Sequence, residues 1–156
     1  MNPGNERHLV IASDHAGFEL KEKIREFLQN QKYRIEDCGT FSGAAANWVE
    51  YGAKAAAKVS ADPENTVGIL LCGSGIGMSI VANKFKNVRA ALCHDENDAS
   101  TARSHNDANI LTLGARLLDH EKALKIVAVF LATGFAGGRH QVRLDYLRND
   151  IENKIL

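Results

Sequence analysis

The segment Cys72-Gly73-Ser74-Gly75-Ile76-Gly77 places a thiol at the head of a glycine turn. It follows the apolar run Val67–Leu71 and precedes Met78–Lys84, which has helical character. A strand, a tight turn and a helix start leave several backbone N–H groups free and aim the positive end of a helix dipole at one point, a site for negative charge. The same field lowers a thiol pKa, so Cys72 could act as nucleophile, redox centre or general base. A cysteine phosphatase would need an arginine about six residues on to hold its phosphate, and that position is Met78. A thiol–disulfide enzyme needs a second cysteine nearby, and residues 73–77 contain none. A general base remains.

The turn lacks the last glycine of G-x-G-x-x-G, because Met78 stands there. Asp95 nevertheless lies 20 residues after Gly75, the place of a ribose-binding acid, and this leaves a dinucleotide reading open. Three further clusters carry chemistry. His105-Asn106-Asp107-Ala108-Asn109 joins an imidazole to two amides and an acid ahead of a strand, which suits an acid–base group. Arg139 and Arg143 stand one helical turn apart, and two guanidinium forks on one face fit the oxygens of a phosphate. Arg116 either joins them or pairs with Asp119. Asp14-His15 directly follows an apolar run, as a helix-start cap, a ligand contact or both. No His/Cys pair has ligand spacing, so no metal is expected.

Lys plus Arg equals Asp plus Glu at 19 each, so no overall field favours nucleic acid or a membrane surface, and an anionic ligand must be held locally. No apolar run approaches the roughly 18 residues of a membrane span, and Met1–Arg7 reads as a flexible tail rather than a secretory signal. Three cysteines cannot all pair; Cys38 and Cys93 read as small packed hydrophobes in an intracellular, cytoplasmic protein.

These residues need a frame, and the apolar pattern supplies one. His8–Ser13, Tyr33–Cys38, Val67–Leu71, Arg89–Cys93 and Ile110–Leu113 read as short strands. Between and after them lie helical stretches: one with Leu20, Ile24, Phe27 and Leu28 on one face, one over about 48–59, the turn-led helix at Met78, about 97–104, and 120–132. Strand alternating with helix five times, in a single domain of 156 residues, predicts an α/β fold with a doubly wound five-stranded parallel sheet. Ligands then bind beyond the strand C-termini, where Asp14-His15, Cys72 and His94-Asp95 all fall. A last helix over 139–156, with Leu144, Leu147, Ile151 and Ile155 as its stripe, needs a surface from its own domain or a second subunit, and it is expected to pack on a partner in a homodimer.

Taken together, Ala12-Ser13-Asp14-His15-Ala16-Gly17, Cys72–Ser79, Ala82-Asn83-Lys84, Val88-Arg89-Ala90-Ala91, His105–Asn109 and Gly137-Gly138-Arg139-His140 closely resemble the type B ribose-5-phosphate isomerases, in the family's order. The resemblance implies a Rossmann-like fold and an aldose–ketose isomerase of the pentose phosphate pathway that needs neither metal nor nucleotide cofactor, working as a dimer or dimer of dimers with sites at the subunit interface. It implies Cys72 as proton-abstracting base, Ser74 beside it, the amides of Gly73, Ser74, Gly75, Ile76 and Gly77 as an enediolate cradle, and His105 as ring-opening group. Asp14, His15 and Asn106 match sugar contacts; Arg116, Arg139 and Arg143 match phosphate or substrate contacts, some reaching across the interface. One departure stands out: Asn47-Trp48-Val49 replaces the family's Asp-Tyr-Pro, so Trp48 is a pocket wall without a phenol hydroxyl. Relatives acting on six-carbon sugar phosphates make a hexose 6-phosphate the alternative substrate, and a non-catalytic binding module is the alternative from another class.

Overall fold

The computed structural model describes residues 7–155, the side chain of Ile155 excepted; residues 1–6 of the tail expected over 1–7, and Leu156, lie outside the described residues. Five parallel strands form one sheet: β1 (His8–Ser13), β2 (Ile35–Asp37), β3 (Thr66–Cys72), β4 (Ala90–Leu92) and β5 (Ile110–Gly114), in the order β2-β1-β3-β5-β4. Helices α1 (Phe18–Asn30), α4 (Glu96–Asn106) and α5 (His120–Ala132) cover one face; α2 (Trp48–Ala61) and α3 (Ile76–Ala82) cover the other. Covering both faces is why β3 reads as an unbroken run: all seven of its residues are buried. Alternation divides its side chains, with Ile69 and Leu71 meeting Ile24, Ile126 and Phe130, while Leu70 and Cys72 meet Ala55, Val59 and Met78.

The chain leaves β1 towards β2 on one side and returns to β3 on the other. The gap between β1 and β3 is therefore the topological switch point, where a crevice opens at the strand C-termini. Asp14 follows β1 and Cys72 ends β3, so the two flank that crevice. The edge strands β2 and β4 keep only three residues each, because they pair on one side alone.

The terminal segment differs from the single helix expected over 139–156. It runs as α6 (Arg139–Tyr146), a π-helical turn over Leu147–Glu152, and α7 (Asn153–Ile155). Leu144, Leu147 and Ile151 face their own domain, lining a cavity of about 380 Å³ with Phe85, Val88 and Ala108. Val142 and Tyr146 point to solvent instead. The glycine-rich link before α6 is tied down, since the Ala136 N–H donates to the Ser104 carbonyl at 2.9 Å.

Candidate active site

The turn after β3 is built around the Cys72 sulfur. Cys72 is the last residue of β3 and is buried, and its Sγ accepts the Gly75 N–H at 3.1 Å. Closing the loop this way requires Gly75 at φ +79°, a conformation an L side chain resists. A Cβ there would also meet Leu92 Cδ1 at 2.5 Å and the Leu113 carbonyl carbon at 2.9 Å. Ser74 Oγ accepts the Ile76 N–H at 3.3 Å, and α3 begins with Ile76. The turn is pinned to β5 by Ala115 N–H to the Cys72 carbonyl (2.9 Å) and Arg116 N–H to the Gly73 carbonyl (3.0 Å).

A cavity of about 600 Å³ opens over this turn, lined by Asp14, Trp48, Cys72, Gly73, Ser74, Ile76, Gly77, Ile80, Arg116 and Leu117. Asp14 is buried at its floor, and its Oδ1 accepts the Gly17 N–H at 3.0 Å, so it closes the turn before α1 while facing the cavity. Asp14 thus shapes the turn that leads into α1, whose N-cap residue is Gly17. Arg116 lies over Gly73 and makes no ion pair with Asp119, whose carboxylate instead caps α5 by accepting the Lys122 N–H at 2.8 Å. His15 stands outside the lining, with Nδ1 facing the backbone of Ala46, 3.3 Å from its N and 3.4 Å from its O. Asn47 caps α2 by accepting the Val49 N–H at 3.0 Å, and this sets Trp48 as the first helical residue, against Gly77.

The other predicted residues lie at the opposite pole. His105 and Asn106 end α4, which leads into the start of β5, whereas Cys72 pairs with Gly114 at its end. The four residue-to-residue steps from Ile110 to Gly114, roughly 13 Å, separate the two ends. His105 stacks on His140 of α6, ring centroids 4.2 Å apart at 10°, and Arg139 and Arg143 flank His140 on the same exposed helix. One chain thus carries two separate polar clusters, at opposite ends of β5.

The dinucleotide reading of Asp95 does not survive the topology. β4 pairs with β5 and not with β3, and Asp95 caps α4 by accepting the Asp98 N–H at 2.8 Å, outside the cavity. Cys38 and Cys93 are buried, and burial raises both thiol pKa values, that of Cys93 to about 12. Both are inert packing residues.

Sequence reasoning names Ile76 for its amide alone and misses the apolar rim its side chain belongs to. Ile76, Ile80 and Leu117 line the cavity yet are each more than half exposed. The i, i+4 spacing of the two isoleucines was the available signal. It also missed Lys21, whose side chain is fully buried within 2.5 Å of Asp37 and 3.0 Å of Glu22, with the rings of Phe18 and Phe41 each 5.6 Å away. Asp37 in turn accepts the Gly39 N–H, and Gly39 and Thr40 bond to Ser13, the residue before Asp14. Lys21 therefore fixes the loop that shapes one wall of the crevice.

A family model described as Ribose/Galactose Isomerase matches residues 9–147. The ribose-5-phosphate isomerase B of Escherichia coli (strain K12) is 38% identical over 139 residues, 89% of this chain and 93% of that protein. The solved structure of Clostridium thermocellum ribose-5-phosphate isomerase B superposes with a TM-score of 0.91 at 40% identity, covering 96% of this chain and 99% of that one. That of the Mycoplasma genitalium enzyme, solved with bound ribulose 5-phosphate, gives 0.89 at 38% identity and covers 92% and 95%. The doubly wound sheet, the thiol at its switch point and these likenesses run together: the chain belongs to the ribose/galactose isomerase family.

Proposed function

We propose that this protein interconverts ribose 5-phosphate and ribulose 5-phosphate through an enediolate, with Cys72 as the proton-transferring base. The observation that carries the reading is the Cys72 sulfur held by the Gly75 N–H at a cavity lined by the other residues of the glycine turn, Gly73, Ser74, Ile76 and Gly77. The Cys72 thiolate takes the C2 proton of the open aldose, and the electron pair moves through C1 to O1. The thiol then returns a proton to C1 as the O2 proton passes to O1. Charge builds on oxygen, where amide donors, the Ser74 hydroxyl and Arg116 meet it; one such donor contributes about 3–4 kcal/mol in other oxyanion sites. The negative charge of Asp14 orients sugar hydroxyls, beside His15.

The closed furanose must open first, and this falls to His105 with Asn106, while Arg139 and Arg143 hold the phosphate. These four cannot reach Cys72 of their own chain, so His105 of the partner subunit completes the site in a homodimer, alone or in a dimer of dimers. The rim of Ile76, Ile80 and Leu117 and the exposed Val142 and Tyr146 give a second copy apolar surface to cover. Trp48 restricts the far end of the sugar, which favours five carbons over six. A cytoplasmic setting agrees with free thiols, and no described helix is long and apolar enough to cross a membrane.

The test is conversion of ribose 5-phosphate by wild type and Cys72→Ala. Wild type is expected to be active and the alanine variant to lose about 10²- to 10⁴-fold or more in kcat, as for a lost general base, with an unchanged fold by circular dichroism. Normal turnover by Cys72→Ala would remove the mechanism.

A further inference from the structure

We propose that His140 is a positioning residue for His105: its buried ring fixes the plane of the His105 imidazole and joins that group to Arg139 and Arg143 as one rigid half-site. This role rests on the isomerase reading above. His105 stands exposed in the last turn of α4, where a lone imidazole would sample several rotamers. The parallel stack on His140, 4.2 Å between centroids and 10° between planes, removes that freedom.

The chain around the stack is built to produce it. The Ala136 N–H donates to the carbonyl of Ser104, the residue just before His105, at 2.9 Å. Gly137 and Gly138 then adopt φ of +64° and +55°, which lets the backbone reverse and bring residue 140 under residue 105. Residues 139 and 143 flank residue 140 on the same helix, so the stack sets the distance between the ring-opening imidazole and the phosphate clamp.

His140 is suited to be a platform rather than a second proton carrier. Burial, then the neighbouring His105, Arg139 and Arg143, hold its pKa below the ordinary imidazole value.

The experiment compares wild type, His140→Ala and His140→Phe in three readouts. Proton NMR of the His105 ring reports the stack through its ring-current shift. Turnover of ribose 5-phosphate requires ring opening, whereas deuterium wash-in at C1 of ribulose 5-phosphate in D₂O requires only enolisation, because that ketose is acyclic. His140→Ala is expected to lose the ring-current shift and to lower kcat towards about a hundredfold, the cost of a misplaced group. Its KM stays within about twofold, since both arginines remain. Deuterium wash-in is retained. His140→Phe, which stacks without titrating, restores the shift and most of kcat. Wild-type kcat in His140→Ala, equal loss of wash-in and turnover, or a phenylalanine variant as slow as alanine would each overturn the role. A wild type that shows the shift but exchanges no deuterium would overturn the isomerase reading beneath it; one that isomerises without the shift would overturn the stack alone.

Discussion

The indole of Trp48 lies so close to Gly77 that a Cβ added there would stand 2.9 Å from its Cδ2 and 3.0 Å from its Cε3. The glycine thus lets an aromatic wall lie directly on the first turn of α3, at the edge of the Cys72 cavity. Trp48→Ala should lengthen the cavity and raise kcat/KM for a six-carbon aldose phosphate relative to ribose 5-phosphate. Discrimination by apolar bulk is worth about 1–3 kcal/mol, so the ratio should move roughly 10- to 200-fold. An unchanged ratio would mean that another wall sets chain length.

Gly75→Ala should damage the fold as well as the reaction. The left-handed conformation costs a non-glycine residue about 1–2 kcal/mol, and the new methyl would press on the Leu113 backbone, which has little room to yield. We expect a clear fall in Tm together with lost activity, read by thermal unfolding and by turnover. A variant with wild-type Tm would show that the turn can be rebuilt without a left-handed residue.

The proposed sharing of sites between subunits predicts complementation between inactive variants. Cys72→Ala and His105→Ala homodimers should each be inactive. Mixed and re-equilibrated, they should regain about a quarter of wild-type activity, because half the dimers then carry one intact site. No recovery, with subunit exchange verified by mass, would place both groups in one subunit's site.

Arg139 and Arg143 are exposed on α6 and have no acidic partner within salt-bridge distance among the described residues. A charge-assisted hydrogen bond contributes about 1.5–3 kcal/mol. Arg143→Ala should therefore raise KM for ribose 5-phosphate by roughly 10- to 150-fold while leaving KM for unphosphorylated ribose nearly unchanged. Equal effects on both sugars would remove its phosphate role.

The strands and the thiol turn are legible in the sequence because both faces of the sheet are covered, which turns β1 and β3 into unbroken apolar runs whose ends mark the crevice. The arginine pair is legible from its helical spacing. Other features are settled only by packing. Local pattern places His105 before a strand, but only the register of β5 against β3 puts it at the far pole from Cys72. Asp95 has the spacing of a ribose-binding acid, yet the sheet order moves its strand to the edge. Lys21 belongs to no apolar stripe; its burial depends on Asp37 arriving from β2 and on two phenylalanine rings closing over it. The terminal stripe marks a helix correctly, but periodicity does not register the π-helical turn over Leu147–Glu152.

The same His140 that supports His105 should leave a mark on stability. Its folded-state pKa lies below the ordinary value of 6.5, with burial the first cause and the charges of His105, Arg139 and Arg143 following. The unfolded chain therefore binds a proton at higher pH than the folded one. The contribution of a neutral His140 is fully present above about pH 6.5 and is lost as pH falls through the lowered folded-state value. Wild type should thus lose stability relative to His140→Phe on going from about pH 7.5 to about pH 5, the range in which a histidine titrates. Urea unfolding of both proteins across that range measures the difference, and because the carboxylates are common to both, their contribution cancels. A difference that stays constant with pH would mean that His140 takes up its proton equally well in the folded and unfolded chain, and that its burial against the stack carries no electrostatic cost.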